Sequence, residues 1–197
     1  MSKLLHDKIH ALKRDTILEA AAKIFEEHGY QTMKITDLAR EVKISVGTIY
    51  TIFESKDQLY MAYIQHQIDL FLEQLLISTP TDGSADEKLL HFITMRFDIC
   101  IQKHKAIDTY LINNPVFDYV LTSGEANPIR KIYDYLASLI QPIQPPEPSR
   151  SPIELAYLLE GLCHAEVKLW LNSPAVDLAA KSIPLHNLFL TLVKENL

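Results

Sequence analysis

One short segment concentrates side chains that could hold a nucleic acid. It reads Ser45-Val46-Gly47-Thr48-Ile49-Tyr50-Thr51, and its residues are mostly small or hydroxyl-bearing. Serine is a preferred helix N-cap, so Ser45 predicts a helix whose first turn presents free amides and short side chains. Such amides attract phosphate oxygens, and small residues let a backbone approach bases closely. The segment therefore predicts contact with an anionic partner that has a groove wide enough to admit a helix.

The flanking elements predict a helix-turn-helix. Two short apolar-periodic helices, at 36–42 and 45–53, are separated by only two or three residues. Apolar side chains can close a small core between them: Leu38, Val42, Ile44, Ile49 and Phe53. Ala39 is expected where the two helices approach most closely, since a larger side chain would clash there. In this geometry the second helix enters the DNA major groove, which is about 12 Å wide.

Helical periodicity continues along the rest of the chain. Residues 7–28 predict a helix that stops at Gly29, and capping boxes at Ser55, Ser84 and Ser151 predict three further helix starts. Shorter helices are expected at 105–113, 127–141 and around 185–193. With no strand alternation, we expect an all-α fold of about nine helices. It should divide into an N-terminal domain at 1–55 and a C-terminal domain at 56–197.

Composition and charge narrow the class of protein. Of 197 residues, 48% are hydrophobic and 22% charged, which is globular composition. The net charge of −6 arises wholly from residues 61–197, because residues 1–60 hold nine basic and nine acidic side chains. The N-terminal third can therefore meet an anion. Two cysteines, no apparent signal peptide and no long apolar run predict a cytoplasmic protein with no membrane association.

Several residues around the helix-turn-helix resemble a known family. Thr36, Leu38 and Ala39, followed by Ser45-Val46-Gly47-Thr48-Ile49-Tyr50, Phe53 and Ser55-Lys56, are similar to the DNA-binding domain of the TetR family of bacterial transcriptional regulators. The resemblance covers about residues 8–60. It implies an N-terminal three-helix DNA-binding domain and a C-terminal ligand-sensing and dimerisation domain. It further implies a ligand-responsive regulator, most often a repressor.

The resemblance also assigns roles in DNA binding. Phosphates would be contacted by Thr48, Tyr50 and Lys56, with Lys34 and Thr36 as further candidates. Base edges would face Val46 and Gly47, with Thr51 beside them and Ser45 as the cap. The chain departs from the family at Lys43, where glycine is usual, and at Ile52, where histidine is common; both bear on DNA recognition.

The second half of the chain is rich in residues suited to a small-molecule pocket. Effector-binding candidates are Tyr63, Phe92, Met95, Tyr110, Tyr133 and Trp170. Their apolar and aromatic character favours an apolar or aromatic effector. The acidity of the same domain indicates a cation instead, and the residues leave that choice open.

The last two helices predict a homodimer interface. Gly161 and Ala165 form a flat strip that permits close helix approach. The residues expected around it are Leu158, Leu162, Leu185, Leu188, Phe189 and Leu192. Pairing two recognition helices at half-sites about 34–36 Å apart would multiply a weak single contact.

Other chemistry is less well supported. Cys100 with His104, or Cys163 with His164 and Glu166, could ligate a metal, but a closed zinc site needs four converging ligands. We expect no metal and no cofactor. Neither a nucleophile–base pair, nor paired carboxylates, nor a phosphate-binding glycine loop stands out, so we expect no enzyme. The alternative is a catalytically active or scaffold-type helical protein that binds a small molecule without recognising DNA.

Overall fold

The architecture is that of a computed structural model, which describes residues 3–106, 128–173 and 175–195. Over these residues the chain forms eight α-helices, two short 3-10 turns and no strands, so the all-α prediction is confirmed. The helices are α1 Lys3–Thr32, α2 Ile35–Glu41, α3 Val46–Phe53, α4 Lys56–Ser78, α5 Ala85–Gln102, α6 Pro128–Ile140, α7 Pro152–Asn172 and α8 Ser182–Lys194. From residue 107 on, the helix predicted at 105–113 lies outside the described residues.

The described residues divide into two compact units. The first holds residues 3–67 and 103–106, and the second holds residues 68–102, 128–173 and 175–195. Helix α4 begins in the first unit and ends in the second. The functional boundary at residue 55 stays a prediction. Among the described helices, none combines the length and apolar character that a bilayer span requires.

The first unit is built round one apolar core from α1, α2, α3 and the start of α4. Its innermost residues each expose 1% or less of their surface: Ile17, Ala21, Phe25, Leu38, Ile49, Leu59, Tyr60 and Tyr63. Ala39 is also buried, at 6% exposed, as expected for a close helix crossing. This core fixes α2 and α3 against α1.

Gly29 marks the break in α1 that its sequence predicts. It has φ 80° and ψ 167°, and helical hydrogen bonding resumes beyond it to Thr32. A Cβ at this position would lie 2.9 Å from the carbonyl oxygen of Lys105. Both the left-handed backbone and the lack of space therefore require glycine here.

The second unit packs α5, α6, α7 and α8 around a second apolar core. Reciprocal capping boxes open two of these helices, between Ser84 and Glu87 and between Ser151 and Glu154, as predicted. Phe92, Ile93 and Phe97 are fully buried on α5, while Leu159 and Cys163 are fully buried on α7.

His186 links α8 to the start of α5. Its Nε2 lies 2.7 Å from Oδ1 of Asp86, and the imidazole is 8% exposed. A polar contact at that depth fixes the register of the two helices. On the opposite side of α8, Leu188 is exposed.

Candidate nucleic-acid interface

The turn between α2 and α3 is closed by two backbone hydrogen bonds. The amide of Lys43 donates to the carbonyl of Arg40 at 3.3 Å, and the amide of Ile44 donates to that of Ala39 at 3.0 Å. These are the two bonds of a Schellman motif, whose residue after the C-cap is left-handed. Lys43 takes that position with φ 55°, at a cost of about 1 kcal/mol relative to glycine. Lys43 thus adopts the left-handed conformation at the position where the family usually has glycine.

Helix α3 starts at the predicted cap. Oγ of Ser45 accepts a hydrogen bond from the amide of Thr48 at 3.0 Å and lies 2.8 Å from the Thr48 hydroxyl. On the inner face, Ile49 is 1% and Phe53 is 4% exposed. The inner face holds the helix on the core, so the opposite face is presented outward.

The outer face of α3 carries the residues predicted to meet DNA. Tyr50 is 44% exposed, and Gly47 and Thr51 are exposed beside it. A Cβ on Gly47 would meet only Oγ of Ser45, at 3.7 Å, so no contact within the chain requires glycine there. Thr51 turns its hydroxyl to the Gly47 carbonyl at 2.9 Å, while Val46 is half-buried.

The remaining predicted phosphate contacts flank α3. Lys34 and Thr36 are exposed at the start of α2. The ammonium of Lys56 lies 4.4 Å from the ring centroid of Tyr30 and donates to the Gln31 carbonyl at 3.4 Å. Lys56 is thus positioned by an aromatic face, which fixes its charge beside the N-terminus of α4.

The structure adds a cation that sequence reasoning missed. The guanidinium of Arg14 lies 4.9 Å from the ring centroid of Phe53, at the end of α3. Arg14 stands 39 positions earlier in the chain, so helical spacing carries no signal for the contact. The only sequence signal is that Arg14 belongs to the lysine- and arginine-rich first fourteen residues.

The turn between α3 and α4 differs from the expected capping box. Glu54 has φ 58° and ψ −41°, and the amide of Ser55 bonds back to the Phe53 carbonyl at 2.5 Å. Oγ of Ser55 accepts from the Gln58 amide at 3.0 Å, as predicted. The reciprocal bond to the Gln58 side chain was a wrong prediction, because the turn at Glu54 aims the Ser55 amide elsewhere.

Tyr63, an effector candidate, lies in the core of the first unit. It is 1% exposed, with its ring centroid 5.2 Å from that of Phe25 and 5.8 Å from that of Tyr60. Its hydroxyl lies 3.3 Å from Oε1 of Glu26. Burial, together with the Glu26 charge, raises the pKa of Tyr63 far above its ordinary value, so the phenol stays neutral. This is the environment of a packing residue.

Other effector candidates lie in the second unit with separate neighbours. Phe92 is fully buried, 6.0 Å from the Phe71 ring. Sδ of Met95 accepts from Oγ of Ser78 at 3.1 Å. The Tyr133 ring stacks on Tyr157 at 4.0 Å, and Trp170 is partly exposed. Tyr110 lies outside the described residues.

A polar cluster between α5 and α7 was not predicted. Nε of Arg96 lies 3.5 Å from Oε1 of Glu160, and its Nη1 lies 2.7 Å from Sγ of Cys100. The neighbouring Cys100 sulfur and the Glu160 carboxylate raise the pKa of Arg96, while burial raises that of Cys163. Within the described residues, no group of three or more metal-ligating side chains is suited to hold an ion.

Helices α7 and α8 expose part of the predicted dimer surface. Leu158 is 41% and Leu188 is 52% exposed, Gly161 and Ala165 are exposed, and Leu162 and Leu192 are half-buried. Leu185 and Phe189 instead pack into the core of the second unit, at 4% and 0% exposed. Further large apolar residues of α7 and α8 are also exposed: Ile153, Tyr157, Leu169 and Ile183.

The capped, outward-facing α3 held by α2 forms a helix-turn-helix. Residues 17–63 match the model of bacterial regulatory proteins of the tetR family. The chain therefore carries a domain similar to that family's near its N-terminal end.

Three comparisons give the range of similarity. The transcriptional regulator HbdR of Aromatoleum sp. (strain CIB) is 36% identical over 63 residues, 32% of this chain and 28% of that one. The fatty acid metabolism regulator protein of Bacillus subtilis (strain 168) is 27% identical over 96 residues, 48% and 50% of the two chains. This chain therefore spans half or less of these two relatives. A crystal structure of FadR from Bacillus subtilis in complex with stearoyl-CoA shares the fold, with a TM-score of 0.60, 22% identity and 92% and 98% coverage.

Proposed function

We propose that this protein is a dimeric, ligand-responsive regulator of transcription that represses by binding operator DNA through α3. The observation that carries the proposal is the two-sided character of α3. Ile49 and Phe53 anchor one side, while Gly47, Tyr50 and Thr51 face solvent on the other. A helix held in this way presents its first turn to a major groove. Because its partner is operator DNA, we place the protein in the cytoplasm.

Contacts with DNA divide by chemistry. Hydroxyls and cations position the protein on the phosphates, which suits Thr48, Tyr50 and Lys56 beside the helix N-termini. Lys34 and Thr36 extend this set from the start of α2. Base edges meet Val46, Gly47 and Thr51; Val46 offers only apolar contact, most usefully with a thymine methyl group. Modest direct readout is therefore supplemented by DNA shape.

Two copies of the chain are needed for useful affinity. A single eight-residue helix makes few contacts, and joining two recognition helices makes the second contact intramolecular. The exposed apolar side chains of α7 and α8 support a twofold interface on those helices. Its members are Leu158, Gly161, Leu162, Ala165, Leu188 and Leu192, joined by Ile153, Tyr157, Leu169 and Ile183; Leu185 and Phe189 support it from within the subunit.

The effector is an apolar or aromatic small molecule held among the helices of the second unit. Phe92, Met95, Tyr133 and Trp170 remain its candidate contacts, and Tyr63 is left out as a core residue. FadR from Bacillus subtilis, which shares the fold, was solved in complex with stearoyl-CoA, and its long acyl chain is consistent with an apolar effector here. Helix α4 runs from the Glu54 turn into the second unit, so its displacement would move α3. A coupling of about 1–3 kcal/mol changes operator affinity about 5- to 150-fold.

The test is recovery of bound fragments from sheared bacterial genomic DNA, followed by fluorescence anisotropy with the recovered fragment. Binding should weaken steeply with salt, because phosphate contacts release counterions. The double variant G47A/Y50F should recover less DNA, whereas K131A, an exposed lysine on α6, should match the wild type. Equal recovery by all three proteins, or none by the wild type, would contradict the proposal.

A further inference from the structure

The exposed face of α7 carries one acidic and one basic side chain near its opposite ends. Glu154 lies in its first turn and Lys168 lies four residues before its last residue, and both are exposed. The helix's two other carboxylates, Glu160 and Glu166, are partly buried and form ion pairs within the subunit. Glu154 and Lys168 are thus the charges that α7 presents outward.

Gly161 lies midway between these two charges, seven residues from each. It is exposed, and a Cβ there would meet nothing within 4 Å. Packing inside the subunit therefore does not require glycine, although glycine within a helix costs about 1 kcal/mol relative to alanine. Close approach of a second backbone would account for its presence.

We propose that a second copy of this chain crosses α7 in antiparallel orientation, with the twofold axis at Gly161. In an isologous interface, residue i faces residue j and j faces i. An axis at 161 sets Glu154 opposite the partner's Lys168, and the reverse pair forms on the other side. The inference rests on the proposed dimer and specifies its register.

The same axis makes the rest of the exposed face self-complementary. It sets the apolar Ile153 opposite the partner's Leu169, and the large Tyr157 opposite the small Ala165 of the partner subunit. Moving the axis to residue 162 would instead set Lys168 opposite Ala156, which is fully buried. Only a register at or very near 161 joins the two charges.

The charges lie within reach of each other at this register. Seven residues of helix rise about 10 Å from the crossing point. Helices crossing at about 20°, with axes about 8–10 Å apart, remain close at that distance. Long lysine and glutamate side chains can span the remaining gap. The pair therefore selects orientation and partner, since a like charge at either site is repelled.

The experiment uses two single charge reversals, K168E and E154K, measured alone and mixed. Each variant alone places like charges at both ends, so its dimer dissociation constant should rise about 10-fold or more at low salt. In the mixed dimer both charge pairs are again opposite in sign. Sedimentation of the mixture should therefore recover a dimer of near wild-type affinity.

Matched variants separate this effect from folding. E154Q retains the capping box with Ser151, because glutamine serves at that position, and should weaken the dimer less than E154K does. K131E changes an exposed lysine on α6 and should leave the dimer unchanged. Circular dichroism melts establish that each variant is folded.

Cross-linking decides the register should E154K fail to fold. With Cys100 and Cys163 replaced by serine, G161C should form an intersubunit disulfide, because position 161 faces itself. A165C should not, since positions 165 then lie about 12 Å apart along the helices. A wild-type monomer would overturn both the dimer and its register. A wild-type dimer that shows no rescue in the mixture and no G161C cross-link would overturn the register alone.

Discussion

The ammonium of Lys103 lies 2.5 Å from Oε1 of Glu26, 77 residues earlier in the chain. The Tyr63 hydroxyl shares that oxygen at 3.3 Å, and the Tyr60 hydroxyl donates to the Ala106 carbonyl at 2.6 Å. The segment following α5 is thus fastened to α1 and α4 within the first unit. A displacement of residues 103–106 would therefore also displace α1 and α4, which pack against α3.

The Lys103–Glu26 contact should be energetically coupled. Their side chains are 24% and 35% exposed, so solvent screens them only partly. A double-mutant cycle of E26Q and K103M, measured by urea unfolding, should give an interaction energy of about 0.5–1 kcal/mol. The same cycle at Asp37 and Arg40, 51% and 80% exposed, should give a few tenths. Equal interaction energies for the two pairs would contradict a stabilising role for the Lys103–Glu26 contact beyond that of an exposed ion pair.

Replacing Lys43 by glycine should stabilise the first unit. Its φ of 55° is costly for any residue with a Cβ, so K43G should raise the free energy of unfolding by about 1 kcal/mol. K43A is the control, because it removes the charge but keeps the strain, and should give no gain. A gain in K43A that matches K43G would assign the effect to charge.

Gly29→Ala should be strongly destabilising. It introduces a side chain at φ 80° and places a Cβ 2.9 Å from the Lys105 carbonyl oxygen. We expect a loss of about 2 kcal/mol or more in thermal unfolding, from backbone strain and displacement of that segment. A change below 0.5 kcal/mol would contradict the close approach of α1 to residue 105.

Gly47→Ala should separate stability from DNA binding. The added methyl group makes no close contact within the chain, and alanine has a higher helix propensity than glycine. The free energy of unfolding should therefore rise by about 0.5–1 kcal/mol. Operator affinity should fall, because the methyl group occupies the space that base edges approach. Anisotropy and thermal melts on the same sample measure both; tighter DNA binding would contradict the assigned role of Gly47.

Local sequence signals predicted much of the fold. Ser45, Ser84 and Ser151 mark helix starts through bonds made within three residues, and Gly29 marks a break through its own backbone freedom. The inner face of α3 followed from the spacing of Ile49 and Phe53. These features depend on neighbours along the chain, so a pattern of residue types can report them.

Features set by distant contacts could not be predicted in this way. Nothing in the sequence indicates that Glu26 contacts Lys103, or that Arg14 contacts Phe53. On α8, Leu185 and Leu188 look alike in sequence, yet only Leu188 is exposed, because α8 turns the Leu185 side towards the core. The positive φ of Glu54 likewise follows from how α3 and α4 are joined.

The central claim is that the outer face of α3 binds DNA. Its most direct measurement is the affinity of the variant Y50F/K56A for the recovered genomic fragment, across a range of salt concentrations. We expect a loss of about 10- to 100-fold and a salt slope lower by about two, because one phosphate contact by a cation is removed from each subunit of the dimer. The dimer should persist unchanged. Wild-type affinity and slope in the folded variant would contradict the claim.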